Sequence, residues 1–154
     1  MKEQIVYGRL KFNMPEGFHR MNAEELKAAF SAEDPDRLAL HGEEPPMTIA
    51  LHHRQVNRFL AAFADKKTIR LRMESDLKQA LQDCKVTEEY QIRAAGADRY
   101  GFRYQYTLRG EERAADLLLV VEGGDYYTVN GVCSPEDMDR GQEIFAKLLE
   151  SLTI

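Results

Sequence analysis

Between Arg99 and Arg109 the chain alternates with a period of two. Tyr100, Phe102, Tyr104, Tyr106 and Leu108 fall on one side, and Arg99, Arg103, Gln105, Thr107 and Arg109 on the other. That period predicts a strand with one packed face and one wet face. The pattern belongs to a longer meander. Tyr90, Ile92 and Ala94 alternate before a turn around Gly96, and Arg109-Gly110-Glu111 reverses the chain again. Leu117 to Val121 then runs without a polar break, which predicts a central strand covered on both faces. Gly123-Gly124 tolerates the positive φ of a hairpin turn into a last strand, Tyr126 to Cys133. Ser134-Pro135-Glu136-Asp137 supplies an N-cap, a proline at the first helical position and an acid three residues on. The helix it opens buries Met138, Gly141, Phe145, Leu148 and Leu152.

The N-terminal half reads less cleanly. Val6, Leu10, Phe12 and Met14 share one parity and predict a first strand that ends at the turn Pro15-Glu16-Gly17, with Phe18 to Met21 returning as a short hairpin partner. Asn22 and Glu25 have capping-box spacing, with Met21 and Leu26 at the staple positions. The helix they start buries Leu26, Ala29 and Phe30 and stops at Pro35. Leu38 and Leu40, then Met47, Ile49 and Leu51, predict a hairpin around Pro45-Pro46. Val56 to Asp65 predicts a short helical connection carrying Phe59, Leu60 and Phe63. Ile69, Leu71 and Met73 alternate like a strand, but Ile69, Met73, Leu77, Ala80, Leu81 and Cys84 make a longer helical stripe. The pattern therefore favours a helix from about Lys67 to Cys84 and leaves Leu71 unexplained.

These elements imply an α+β fold: a three-layer α/β/α sandwich around a mostly antiparallel sheet, formed by one domain over 1–154. The strand pair with Met14-Pro15-Glu16-Gly17-Phe18, the two helices after it, Tyr100-Gly101-Phe102-Arg103-Tyr104 and the closing Leu148-Leu149-Glu150-Ser151-Leu152 together resemble the PsbP-like superfamily. That group includes the extrinsic PsbP subunit of photosystem II and a factor that releases nucleotide from the GTPase Ran. The resemblance implies the sandwich fold and a binding or accessory role. It transfers no partner-binding motif residue by residue.

Composition narrows the function classes. The 154 residues carry a net charge of -5, and 31% are charged, which suits a globular chain and gives no general cationic surface for nucleic acid. Met1 to Leu10 lacks the apolar core of a signal peptide, and no stretch approaches the roughly 18 apolar residues of a membrane span. The expected compartment is the cytoplasm, or outside it if an export signal has been removed ahead of Met1. Cys84 and Cys133 form no CxxC and are expected as free thiols.

Candidate chemistry is sparse. His19, His41, His52 and His53 lack ligand spacing, and the adjacent pair points to opposite faces of a strand, so neither a metal nor any other cofactor is expected. No serine sits in a GxSxG elbow and no glycine-rich loop leads from a strand into a helix. Cys133 just before a helix has two readings, a thiol with a lowered pKa or a core residue. Arg99, Arg103 and Arg109 share parity, with Arg93 and Arg113 on neighbouring strands. They form either a basic ribbon that receives a carboxylate, a phosphate or an acidic partner, or a solvated face neutralised by Glu88, Glu89, Asp98, Glu111 and Glu112. Tyr126 and Tyr127 beside the glycine turn form either a stacking platform or one buried and one exposed tyrosine. The sequence thus points to a non-enzymatic binding or accessory module of bacterial style. It acts through an unknown protein partner, as a monomer or weak homo-oligomer, with Arg99, Arg103, Arg109 and Tyr126 as binding residues. The rival is a small hydrolase or ligand-binding protein that uses Cys133 or a pocket near the first hairpin.

Overall fold

The computed structural model describes residues 3–30, 34–57, 59 and 65–154. In chain order the elements are β1 (Gln4–Tyr7), β2 (Leu10–Asn13), β3 (Phe18–Arg20), α1 (Ala23–Ala29), β4 (Leu38–Glu43), β5 (Pro46–Gln55), α2 (Lys66–Ala80), β6 (Gln82–Ala94), β7 (Ala97–Leu108), β8 (Glu111–Glu122), β9 (Asp125–Cys133), a 3-10 turn (Pro135–Asp137) and α3 (Met138–Glu150). β3 to β9 form one sheet of seven strands in the order β3-β4-β5-β9-β8-β7-β6. Every neighbouring pair in it is antiparallel. The fold is the expected α+β arrangement.

The expected central strand is longer than its apolar run. β8 is buried from Ala114 to Val121. Ala115, Leu117, Leu119 and Val121 point to one face, where Phe102, Tyr104 and Tyr126 join them and the half-buried Ile69, Met73 and Leu77 of α2 provide the cover. Leu118 and Val120 point to the other face, with Leu40, Ile49, Leu51 and Val129, beneath Phe12 of β2 and Phe145 and Leu148 of α3. The sheet thus has α2 on one side and α3 with the β1–β2 hairpin on the other.

The first hairpin differs from the sequence expectation. The expected turn at Pro15-Glu16-Gly17 is present, with Phe18 N donating to the Pro15 carbonyl at 3.1 Å, but the chain also reverses at Gly8, and the hairpin forms there, β1 pairing with β2 as a two-stranded sheet of its own. Gly8 adopts φ +59, where a side chain is strained, and a Cβ there would lie 2.6 Å from the Tyr127 hydroxyl. That turn shifts the parity, so Ile5 is buried and Val6 is 56% exposed. β3 joins β4 in the main sheet instead of returning beside β2. The hairpin is held from the far end of the chain, by Lys11 and Thr153 exchanging backbone bonds of 2.9 and 2.8 Å.

The capping box of α1 is present, with Glu25 N donating to Asn22 Oδ1 at 2.9 Å and Asn22 N donating to Glu25 Oε1 at 3.0 Å. Its expected buried stripe is not. Leu26 and Phe30 are half-buried, Ala29 is exposed, and the helix ends at Ala29, well before Pro35. The segment Val56 to Asp65, expected as a helical connection, lies mostly outside the described residues. α2 is a helix, as the longer stripe predicted, and Leu71 is explained by exposure at 56%. It stops at Ala80, so Cys84 belongs to β6, which starts four residues before the expected Val86. Ser134 stands at the N-cap of the 3-10 turn, but its hydroxyl donates to Asp137 Oδ2 at 2.7 Å and caps no backbone N–H.

Because Leu118 and Leu119 point to opposite covered faces, Leu118→Ala and Leu119→Ala should each destabilise by about 2 to 5 kcal/mol in chemical denaturation. A midpoint that barely moves for either one would mean that its face of β8 is wet.

Candidate functional site

The described residues leave the face of the sheet under α2 partly uncovered. β5 and β9 pair Arg54 with Tyr126 and His52 with Thr128, which places all four side chains on the α2 side. Between them and α2 lies a groove of about 540 Å³, lined also by Val56, Ile69, Arg72, Met73 and Asp76. Its floor is the outer surface of the cluster formed by Leu119, Val121 and Tyr126 with Val56, Ile69 and Met73. The Arg54 guanidinium carbon sits 5.9 Å from the Tyr126 ring centroid, a cation–π distance. Among the described residues neither Arg54 nor Arg72 makes an ion pair, and both are exposed. His52 is held at 2.8 Å by Asp34. An apolar floor flanked by two guanidinium groups without ion-pair partners among the described residues can seat an apolar side chain and hold carboxylates beside it.

Of the residues singled out in the sequence, Tyr126 lies in this groove and the arginines do not. Arg99 is 1% exposed. Its guanidinium donates to the carbonyls of Ala94 at 3.0 Å, Val121 at 2.9 Å and Ala95 at 2.9 Å, tying the β6–β7 turn to the end of β8. Arg103 is half-buried on Asp116, at 3.2 Å, and on Glu88. Arg109 is exposed in the β7–β8 turn with φ +52, at the opposite end of β8 from Tyr126. The shared parity therefore yields no basic ribbon: one arginine is internal, one is paired, and one has left the strand. Tyr126 and Tyr127 are both buried and point to opposite faces, Tyr127 stacking on His53 at 4.5 Å beneath the β1–β2 hairpin.

Asp116 explains where Arg103 went. It is 2% exposed in the otherwise apolar run Ala114 to Val121, and it accepts from the Tyr90 hydroxyl and from Arg103 Nε. Burial pushes its carboxyl above the ordinary aspartate value in spite of those bonds, and the same burial beside Asp116 pushes the Tyr90 phenol far above the usual range. Gly101 makes the arrangement possible, since a Cβ there would meet the Tyr90 ring at 2.5 Å and the Leu117 carbonyl at 2.7 Å.

The Cys133 thiol is fully buried against the Met138 sulfur at 3.5 Å, and burial pushes it up to about 11. Asp137 adds to the rise, so the lowered pKa considered for this thiol does not occur. A second cleft, of about 620 Å³, lies beside the Met14–Phe18 turn, with Phe18 and Ile144 facing Glu43, Glu143, Arg140 and Lys147. Each histidine meets its own carboxylate: His19 with Glu25, His41 with Glu43, His52 with Asp34 and His53 with Asp125. Among the described residues no three ligand-type side chains gather as a metal site would need.

The missed residues are Arg54, Arg72, Ile69 and Met73. One signal for them was readable. α2 carries five basic residues against two acidic ones in a chain of net charge -5, and it shows Leu71 to solvent.

No family model matches the chain, and no curated protein matches it in sequence. Solved structures do match in shape. Cyanobacterial PsbP (CyanoP) from Synechocystis superposes with a TM-score of 0.69 at 12% identity, covering 100% of this chain and 91% of that one. The chain has the PsbP/Mog1 fold. The Saccharomyces cerevisiae Ran-binding protein Mog1p matches with a TM-score of 0.66 at 8% identity, over 100% of this chain and 95% of its own. LpqN of Mycobacterium tuberculosis, involved in cell envelope biogenesis, matches with a TM-score of 0.65 at 12% identity, over 99% and 90%. At these identities the PsbP/Mog1 likeness covers the architecture, and the groove must be judged on its own residues.

α2 also carries a titratable group inside the molecule. Glu74 is the buried residue of this helix and faces Glu89 of β6, with Arg70 Nε 3.9 Å from Glu74 and Arg70 Nη2 3.2 Å from Glu89. Burial, then the second carboxylate, pushes the Glu74 carboxyl from 4.5 up to about 7, against the opposing pull of Arg70 and Lys78. A carboxyl whose folded value is raised contributes stability at low pH and loses it as pH rises between its unfolded and folded values. Glu74→Gln should therefore flatten the fall in stability between about pH 4.5 and 7 and leave the variant more stable than wild type above that window. Thermal midpoints of both proteins across this range check it, and parallel curves would refute it.

Proposed function

We propose that the protein is a non-enzymatic accessory module that works by holding another protein against the groove between α2 and β9. One observation carries this reading. Arg54 and Arg72 are exposed and make no ion pair among the described residues, and they stand beside the apolar floor of Tyr126, Ile69 and Met73. Guanidinium groups without a carboxylate partner beside an apolar hollow are the parts that a binding surface combines. That Mog1p, a protein of the same fold, is Ran-binding supports a role through protein contacts. The burial of Cys133 and its raised thiol weigh against nucleophilic chemistry at that residue.

Site-specific photo-crosslinking tests the reading. With p-benzoylphenylalanine in place of Asp76, which lines the groove and leaves both arginines in place, one defined protein of the source cell should be trapped in a covalent adduct. The same group in place of Arg109, at the far end of β8, should trap none of it. Equal adducts at both positions, or adducts at Arg109 alone, would refute the groove as the contact.

A further inference from the structure

We propose that the groove takes an extended acidic segment of the partner, with an apolar side chain on Ile69, Met73 and Tyr126 and carboxylates on Arg54 and Arg72. The inference rests on the groove being the contact surface, and it adds the chemistry of what binds there.

Charge complementarity is the first support. The chain as a whole carries -5, yet Lys66, Lys67, Arg70, Arg72 and Lys78 face Glu74 and Asp76 on α2 alone. Arg70 is committed inward to Glu74 and Glu89, and its Nη1 donates to the Tyr90 carbonyl at 3.3 Å. Lys66 and Lys67 lie in the first turn, beyond the Asp65 N-cap, and do not line the groove, so Arg72 is the cation that α2 presents to it. An acidic polypeptide is repelled by most of this surface and attracted to one strip of it, which fixes where it docks.

The second support is the kind of cation. A guanidinium presents a planar fork that matches a carboxylate at two points, and Arg54 and Arg72 stand on opposite walls, one on β5 and one on α2. Two such forks facing across an apolar floor suit a segment with acids on either side of an apolar residue. The hollow of about 540 Å³ falls inside the roughly 300 to 1,000 Å³ of pockets that hold a small ligand or an anchoring group. Asp76 and His52, the latter held by Asp34, also line the groove and interrupt the two arginines, so the lining is no continuous cationic track for a polyanion such as nucleic acid, and the apolar floor favours a segment that also carries an apolar side chain.

The test uses three pools of fluorescein-labelled heptapeptides with Leu, Phe or Tyr at the centre, flanked by glutamates, by serines or by lysines. Binding to the whole protein is followed by fluorescence anisotropy at 50 and at 300 mM salt. The glutamate pool should bind at least tenfold more tightly than the other two, and its affinity should fall with salt. Arg54→Glu and Arg72→Glu should each weaken it by at least tenfold with an unchanged thermal midpoint. Equal binding of the serine or lysine pool, glutamate binding that survives both reversals, or no binding by any pool would overturn the acidic segment. If adducts at the Asp76 position persist while the acidic pool fails, the groove remains the contact and only the chemistry of its occupant is wrong.

Discussion

Eight consecutive buried residues of β8, Ala114 to Val121, leave the middle of the sheet without a wet face, and the rest of the architecture answers that demand. Each side needs a layer, and the two layers are not alike. On one side β2 and α3 bring Phe12, Phe145 and Leu148, all fully buried, and each such side chain contributes roughly 1.5 to 3 kcal/mol by leaving water. On the other side α2 brings Ile69, Met73 and Leu77, which are only half-buried, and its one buried residue is the carboxylic acid Glu74. The first cover is a core. The second is a lid that, among the described residues, fits incompletely, and the groove lies along its margin.

The single charge within the buried run of β8, Asp116, imposes a second constraint. A buried carboxylate is costly unless its oxygens are hydrogen-bonded and its charge is met, and Tyr90 from β6 with Arg103 from β7 supplies both. The Tyr90 ring reaches across β7 because position 101 has no side chain. Three adjacent strands are thereby registered by one polar cluster, and Arg103 is spent on the fold. Arg99 is spent the same way, on three carbonyls at the end of the sheet.

Strand pattern and helix caps were legible because they are local. The period of two in β7, the unbroken apolar run in β8 and the Asn22–Glu25 box each state their structure within a few residues. What was illegible needed partners distant in sequence. Parity told that Arg99 and Arg103 leave β7 on the face opposite Phe102, but only the placement of Asp116 and the carbonyls of Ala94, Ala95 and Val121 decides that this face is closed to them. Gly8 hid inside an apparently continuous alternation, and its positive φ moved the first hairpin by seven residues. Tyr126 was visible as an aromatic beside a turn, whereas Arg54 and Arg72 join it only through the β5–β9 register and the position of α2.

The weakly anchored helix and the open groove are one feature seen from two sides. A helix that buries a carboxyl facing a second carboxylate, and whose apolar residues stay half-wet, has less to lose by opening locally than α3 does. Any partner that fills the hollow along Ile69 and Met73 covers apolar surface that α2 leaves exposed, and so binds the closed helix in preference to the open one. By linkage, such a partner stabilises the layer that the sheet lacks on that side. Among the described residues the cover of β8 and β9 is incomplete on the α2 side, whereas the face of β7 that carries Arg99 and Arg103 is closed by Asp116 and by backbone carbonyls, so unfilled apolar surface lies on the first face and not on the second.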